Sequence, residues 1–161
     1  VSVEKNSPDR SAASAMAAKM AKDALIAIHW SDDRVSRVEH AIATHSYSAN
    51  ITPLTIEAKI LQDADRLDAI GFVGIARCFY IAGRLNSGLY DPFDIEAADR
   101  QLDGRSYAID HFQEKLLKLS VGFQTRTGQQ MAQERHQTLI TFLNGFVAEV
   151  RMVKQNEGKI N

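Results

Sequence analysis

Residues 56–82 read IEAKILQDADRLDAIGFVGIARCFYIA, with Pro53 just ahead of them and Gly83 just behind. Placed on a wheel at 100° per residue, the segment is apolar on nearly every side: Ile60, Ala64, Leu67, Ile75 and Cys78 along one, Leu61, Phe72, Ala76 and Phe79 along another. Proline near the start and glycine past the end are the punctuation a helix takes. The spacing predicts one central, buried helix from Ile56 to Ala82.

On either side the pattern stays helical. Ser7-Pro8-Asp9 opens an alanine-rich segment, Arg10 to Ile28, in which Met16, Met20, Ala24 and Ile28 recur every four residues. Ser31 or Asp32 can cap a second helix with Val35, Val38, Ile42 and His45 on one stripe. A polar loop, 46–53, leads to the central helix, and a longer one, 84–104, follows it. Ser106 to Leu119 forms the next helix, with Ile109, Phe112, Leu116 and Leu119 inward and Gly122 beyond its end. The last, about Thr127 to Lys154, carries Met131, Leu139, Leu143, Phe146, Val150 and Val153. The expected fold is all-α, and 161 residues suit one helical domain over 1–161.

Composition narrows the function. Nineteen Lys plus Arg against twenty Asp plus Glu give a net charge of −1, so no basic excess points to nucleic acid or an anionic membrane. A single cysteine, Cys78, makes no disulfide framework and no Cys-based zinc cluster. No stretch approaches the ~20 apolar residues of a membrane span. The expected location is the cytoplasm.

The central helix carries Asp63, Asp65 and Asp68 within six residues. A buried carboxylate needs a cation to answer it. Asp63 has Lys59 four residues before and Arg66 three after, which makes an ordinary helix-face ion pair. Asp65 has only Leu61, Gln62, Asp68 and Ala69 at those distances, with Phe72 and Ala76 farther along its face. Its cation must come from another helix or from a metal, and the spacing leaves both open. His45, taken alone, reads as a partly buried imidazole on the carbonyls of a helix end. His111 and His136 lie on separate helices with no second histidine at ligand spacing, while His29 and His40 flank polar turns. Lys115 and Lys118, beside Leu116, Leu117 and Leu119, read as a solvated edge that could also hold a phosphate. No glycine-rich phosphate loop and no Gly-x-Ser-x-Gly elbow is present, since Gly71 and Gly74 fall inside the helical pattern.

The run His40-Ala41-Ile42-Ala43-Thr44-His45-Ser46-Tyr47-Ser48, the stretch Glu57 to Gly71 and the later Ala108 to Leu119 together resemble the second half of the HD-domain metal-dependent phosphohydrolases, over nearly the whole chain. Members of that family are helical bundles that hold a divalent metal with a histidine, a His-Asp pair and a distant aspartate. The resemblance implies that Asp65, in Ala64-Asp65-Arg66-Leu67, is that aspartate. It implies that His45 faces the metal pocket, as a catalytic or substrate-contacting group. Lys5 and Arg10 resemble basic positions that follow the His-Asp pair, where phosphate oxygens could be held, and Lys115 is a further candidate phosphate contact. The sequence has no His-Asp dipeptide; in the family it would fall just before the segment matching Val1. The domain is therefore expected to be N-terminally incomplete and, alone, unable to hold the metal.

The activity so implied is hydrolysis of a phosphoester or phosphoanhydride, in a nucleotide, assisted by Mn, Fe, Ni, Co, Zn or Mg. The expected partners are that small phosphate substrate and, through helix faces left open, a second copy of the chain, with neither nucleic acid nor membrane. The alternative is a catalytically inactive helical regulatory or protein-interaction module, its long last helix docking a partner.

Overall fold

The computed structural model describes residues 12–46 and 50–157. Among them run six α-helices, α1 Ala13–Ala27, α2 Asp32–Thr44, α3 Ile56–Leu67, α4 Gly71–Arg84, α5 Ala108–Glu114 and α6 Arg126–Glu157, with a 3-10 turn at Leu116–Ser120. The fold is all-α; beyond the helices, the described residues pair only in an isolated bridge between Gly88 and Tyr107. No described helix is long and apolar enough to cross a membrane. The chain divides into two compact units, one comprising the chain up to Arg66 with Gln124–Gly128, the other Leu67–Phe123 with the chain from Gln129 onward.

In the first unit α1 and α2 form an antiparallel hairpin. The chain reverses at His29, whose φ is +60°, with the amide of Trp30 donating to Leu25 O (3.1 Å). Farther along, Lys22 Nζ meets Glu39 at 2.9 Å. Ser31 takes the extended N-cap position of α2, and Asp32 and Asp33 place negative charge at the positive end of the helix dipole. Small side chains, Ser14 and Ala18 of α1, are buried, as are Val35, Ala41 and Thr44 of α2. The four-residue row Met16, Met20 and Ile28 is exposed instead. The close approach of two helices is made by the short residues of α1, which leaves its long ones outside. Entry into α3 is fixed by two local bonds. Ala58 N donates to Thr55 Oγ1 (3.2 Å), and Leu54 N donates to His40 Nε2 (2.9 Å).

The expected single helix over Ile56–Ala82 is two helices. Ile70 is fully buried in an extended conformation, and Gly71 adopts φ +70°, a value glycine takes without strain. The carbonyl of Leu67 accepts the amide of Ile70 (3.3 Å), a tightened last turn, and the guanidinium of Arg135 from α6, in place of the Gly71 amide that continuation would have supplied. The apolar spacing across Gly71 is real, but it belongs to two helices that each bury a face.

The second unit has a core of Leu67, Ile70, Ile75, Cys78, Ile109, Phe112, Leu116, Leu119, Phe123 and Leu139, with Phe79, Phe142 and Phe146 packed against it. The rings of Phe112 and Phe142 stack at 5.6 Å, and Phe79 meets Phe142 edge-on at 5.7 Å. Each fully buried large side chain contributes roughly 1.5–3 kcal/mol. Cys78 lies in this core with Sγ 3.7 Å from the carbonyl of Ala108. The helix expected from Ser106 to Leu119 is shorter: Tyr107 is extended, α5 stops at Glu114, and the 3-10 turn carries Leu116 and Leu119 inward. α6 is 32 residues long, about 48 Å at 1.5 Å per residue.

The loop after α4 is fastened at one point. Asp110, 1% exposed, receives the guanidinium of Arg100 in a two-pronged pair (2.5 and 2.9 Å) and the amide of Asp103 (2.7 Å). The same guanidinium reaches Asp94 O (2.9 Å), lies 3.3 Å from Asp91 Oδ2 and covers the ring of Tyr107. The Asp91 carboxylate beside Tyr107 pushes that phenol up from its ordinary value.

Candidate functional site

The site predicted from sequence lies in the first unit, at the C-terminal ends of α2 and α3. Two side-chain contacts join these helices. Arg37 pairs with Glu57, and farther on Gln62 Nε2 donates to Thr44 O at 2.8 Å. Asp65 lies one turn beyond Gln62 on α3, and His45 is the C-cap of α2.

Asp65 is exposed, not buried as its helical phase predicted. The side of α3 that carries it, with Leu61 and Glu57 at four-residue intervals, is open throughout. No ion pair or hydrogen bond among the described residues engages its carboxylate. The buried acid is Asp63, 3% exposed, and its described partners lie off its own helix rather than at Lys59. Asp63 Oδ1 accepts the amide of Gln124 (2.8 Å), while Oδ2 accepts the amide and hydroxyl of Thr125 (2.8 and 2.7 Å). Thr125 Oγ1 in turn accepts the amide of Gly128 (3.0 Å). Asp63 therefore organises the turn into α6, a contact sixty residues away in sequence that no helix-face spacing could show.

His45 is half-buried, with Nδ1 2.6 Å from Ile42 O. A carbonyl only accepts, so Nδ1 carries a proton and Nε2 is the nitrogen turned away from the helix. That is the helix-end contact expected of a structural histidine. It is also the arrangement that fixes the tautomer of a metal-binding or phosphate-binding imidazole. Lys115 belongs to the second unit and is exposed where α5 ends, as is Lys118. Lys5 and Arg10 lie outside the described residues.

One feature of this unit went unnoticed in the sequence. Trp30, just ahead of α2, and Arg34, Arg37, Val38 and Ala41 along it, with Glu57 of α3, line a groove of about 270 Å³. The Arg34 guanidinium lies 4.1 Å over the Trp30 ring. The i,i+4 spacing of Trp30 and Arg34 was legible. The groove was not, because it depends on how α3 lies beside α2.

Comparison with known proteins places the fold. A model of the HD domain matches residues 7–70. The Bacillus subtilis protein YpgQ, described as uncharacterized, is 40% identical over 125 residues, 75% of this chain and 55% of the relative. The chain thus spans a little over half the length of that curated relative. The crystal structure of B. subtilis YpgQ in complex with ADP superposes with a TM-score of 0.64 at 35% identity, covering 82% of this chain and 61% of that one. An HD-superfamily hydrolase from Bacillus thuringiensis superposes with a TM-score of 0.63 at 36% identity over 82% and 61%. The chain belongs to the HD-domain family. Hydrolases of this superfamily are generally metal-dependent. Yet no three His, Cys, Asp or Glu side chains gather as a metal site among the described residues of this HD domain. They supply one unengaged carboxylate and one oriented imidazole at the same helix ends, and these alone do not fit a metal.

Proposed function

We propose that this HD domain supplies part of a metal-dependent phosphohydrolase site, acting on a phosphoester or phosphoanhydride of a nucleotide. Asp65 is the carboxylate ligand and His45 Nε2 the group facing metal or phosphate; Lys5, Arg10 and Lys115 are candidate phosphate contacts. The carrying observation is that Asp65 is exposed and, among the described residues, engaged by no ion pair or hydrogen bond, while His45 at the end of α2 turns Nδ1 to its own helix. Exposure costs a lone carboxylate nothing, and it leaves the charge available to a cation brought by other residues. The ADP bound to YpgQ supports a nucleotide as the substrate class. A histidine and a His-Asp pair must complete the ligand set, and this sequence contains no such dipeptide.

The test uses a form of the chain extended to carry a histidine and a His-Asp pair. Bound divalent metal and phosphate release from nucleotides are measured before and after Asp65→Asn, and both should be lost. If Asp65→Asn keeps full metal and activity, the ligand assignment fails. If the extended form neither binds metal nor hydrolyses nucleotides, the domain is a helical regulatory or interaction module.

A further inference from the structure

The groove at Trp30 is lined from α2 and α3, the helices whose ends carry His45 and Asp65, and on α2 it reaches Ala41, four residues before His45. Glu57 and Asp65 share one exposed row of α3, eight residues apart, which is about 12 Å of helical rise. At about 270 Å³ the groove sits at the small end of ligand pockets, roughly 300 Å³ and upward, so it holds part of a ligand and not all of it. Its floor, Val38 and Ala41, is apolar. Its wall is the Arg34 guanidinium, a flat cationic plate backed at 4.1 Å by the indole of Trp30. Such a plate stacks on planar rings and is stiffened by the aromatic group behind it. At the rim, Arg37 pairs with Glu57, whose carboxylate also accepts its own amide and the Thr55 hydroxyl. The remaining N–H groups of Arg37 stay able to donate, and the carboxylate's remaining lone pair to accept. An apolar floor, a stacking plate, and a donor beside an acceptor are what a nucleobase presents surfaces to: two faces and a polar edge.

Resting on the nucleotide substrate class argued above, we propose that this groove takes the base of the nucleotide, stacked on Arg34 with its polar edge toward Arg37 and Glu57. The sugar and phosphates then extend along α3 toward Asp65.

Trp30 is the single tryptophan of the chain, so its emission reports on the groove directly. The experiment titrates the full chain, with chelator present and no metal, against ADP, adenosine and inorganic pyrophosphate. ADP and adenosine should both change Trp30 emission saturably, and pyrophosphate should not. Arg34→Ala, at an exposed position, should weaken ADP binding about five- to tenfold, the size of one lost stacking contact. Arg84→Ala, in the other unit where the guanidinium lies 5.9 Å over Tyr80, should leave binding unchanged. The proposal is overturned if pyrophosphate acts as ADP does, which would make this a phosphate site. It is overturned equally if adenosine and ADP leave the emission unaltered, or if Arg34→Ala binds no more weakly than Arg84→Ala. Because no metal or turnover enters the measurement, loss of hydrolytic activity elsewhere leaves its outcome intact.

Discussion

Two aspartates two positions apart sit in opposite surroundings. Asp63 is held by two backbone amides and a hydroxyl from the turn before and into α6, whereas Asp65 faces solvent. Asp63→Ala would leave two inward-facing N–H groups without an acceptor and should cost about 3 kcal/mol of folding stability. Asp65→Asn should change stability by less than about 0.5 kcal/mol, as for an exposed side chain with no partner. Urea unfolding of both variants checks this; equal losses would mean that Asp65 carries a structural role. The sequence marked the two residues as different, but on local spacing alone. Lys59 and Arg66 made Asp63 look locally satisfied, while its described partners came from residues 124 and 125, which no local spacing reveals. Asp65 stood out because its helix offers no base, and that absence is a local property, readable at any stage.

Helix boundaries follow the same division between local and distant causes. α2 begins after Ser31 as its cap residue and acidic first turn indicate. The break between α3 and α4 escaped the wheel because Gly71 lies in a continuous apolar pattern, and the extended Ile70, the positive φ of Gly71 and Arg135 on the Leu67 carbonyl together mark where the helix stops. A β-carbon at Gly71 would sit 2.9 Å from Arg135 Cγ and would have to accept φ +70°. Gly71→Ala should therefore cost about 1–3 kcal/mol, seen as a lower midpoint in thermal unfolding; an unchanged midpoint would show that the junction relaxes freely. The loop after α4 is a parallel case. Proline, glycine and aspartate marked it as a loop, yet its order comes from Arg100 on the buried Asp110. Asp110→Asn should keep the side-chain shape while removing the charge that Arg100 answers. Exchange of the Asp103 amide and cleavage within 88–107 by added protease should both accelerate, with the six helices retained by circular dichroism.

Across the molecule, acid should act first through that loop. The amides of Phe93 and Asp94 hold the Asp91 carboxyl below its ordinary range, the amides of Asp99 and Ala98 do so for Asp94, and the hydroxyl and amide of Ser106 with the amide of Arg105 do so for Asp103. A carboxylate lowered in the folded state contributes stability that is complete above its unfolded value, near 4, and is lost as pH falls through its folded value. The melting temperature should thus be insensitive to these groups from about pH 5 to 7 and fall below about pH 4; a midpoint unaltered down to pH 3 would remove them from the stability of the fold. Cys78 offers a way to watch this happen. Its sulfur is shielded between α4 and the first residue of α5, so a thiol reagent in solution can react only when those two helices part. The rate of labelling is then a clock for that parting, and slow reagent should read its equilibrium while fast reagent reads its frequency. One atom, placed for packing, makes the breathing of half the protein countable.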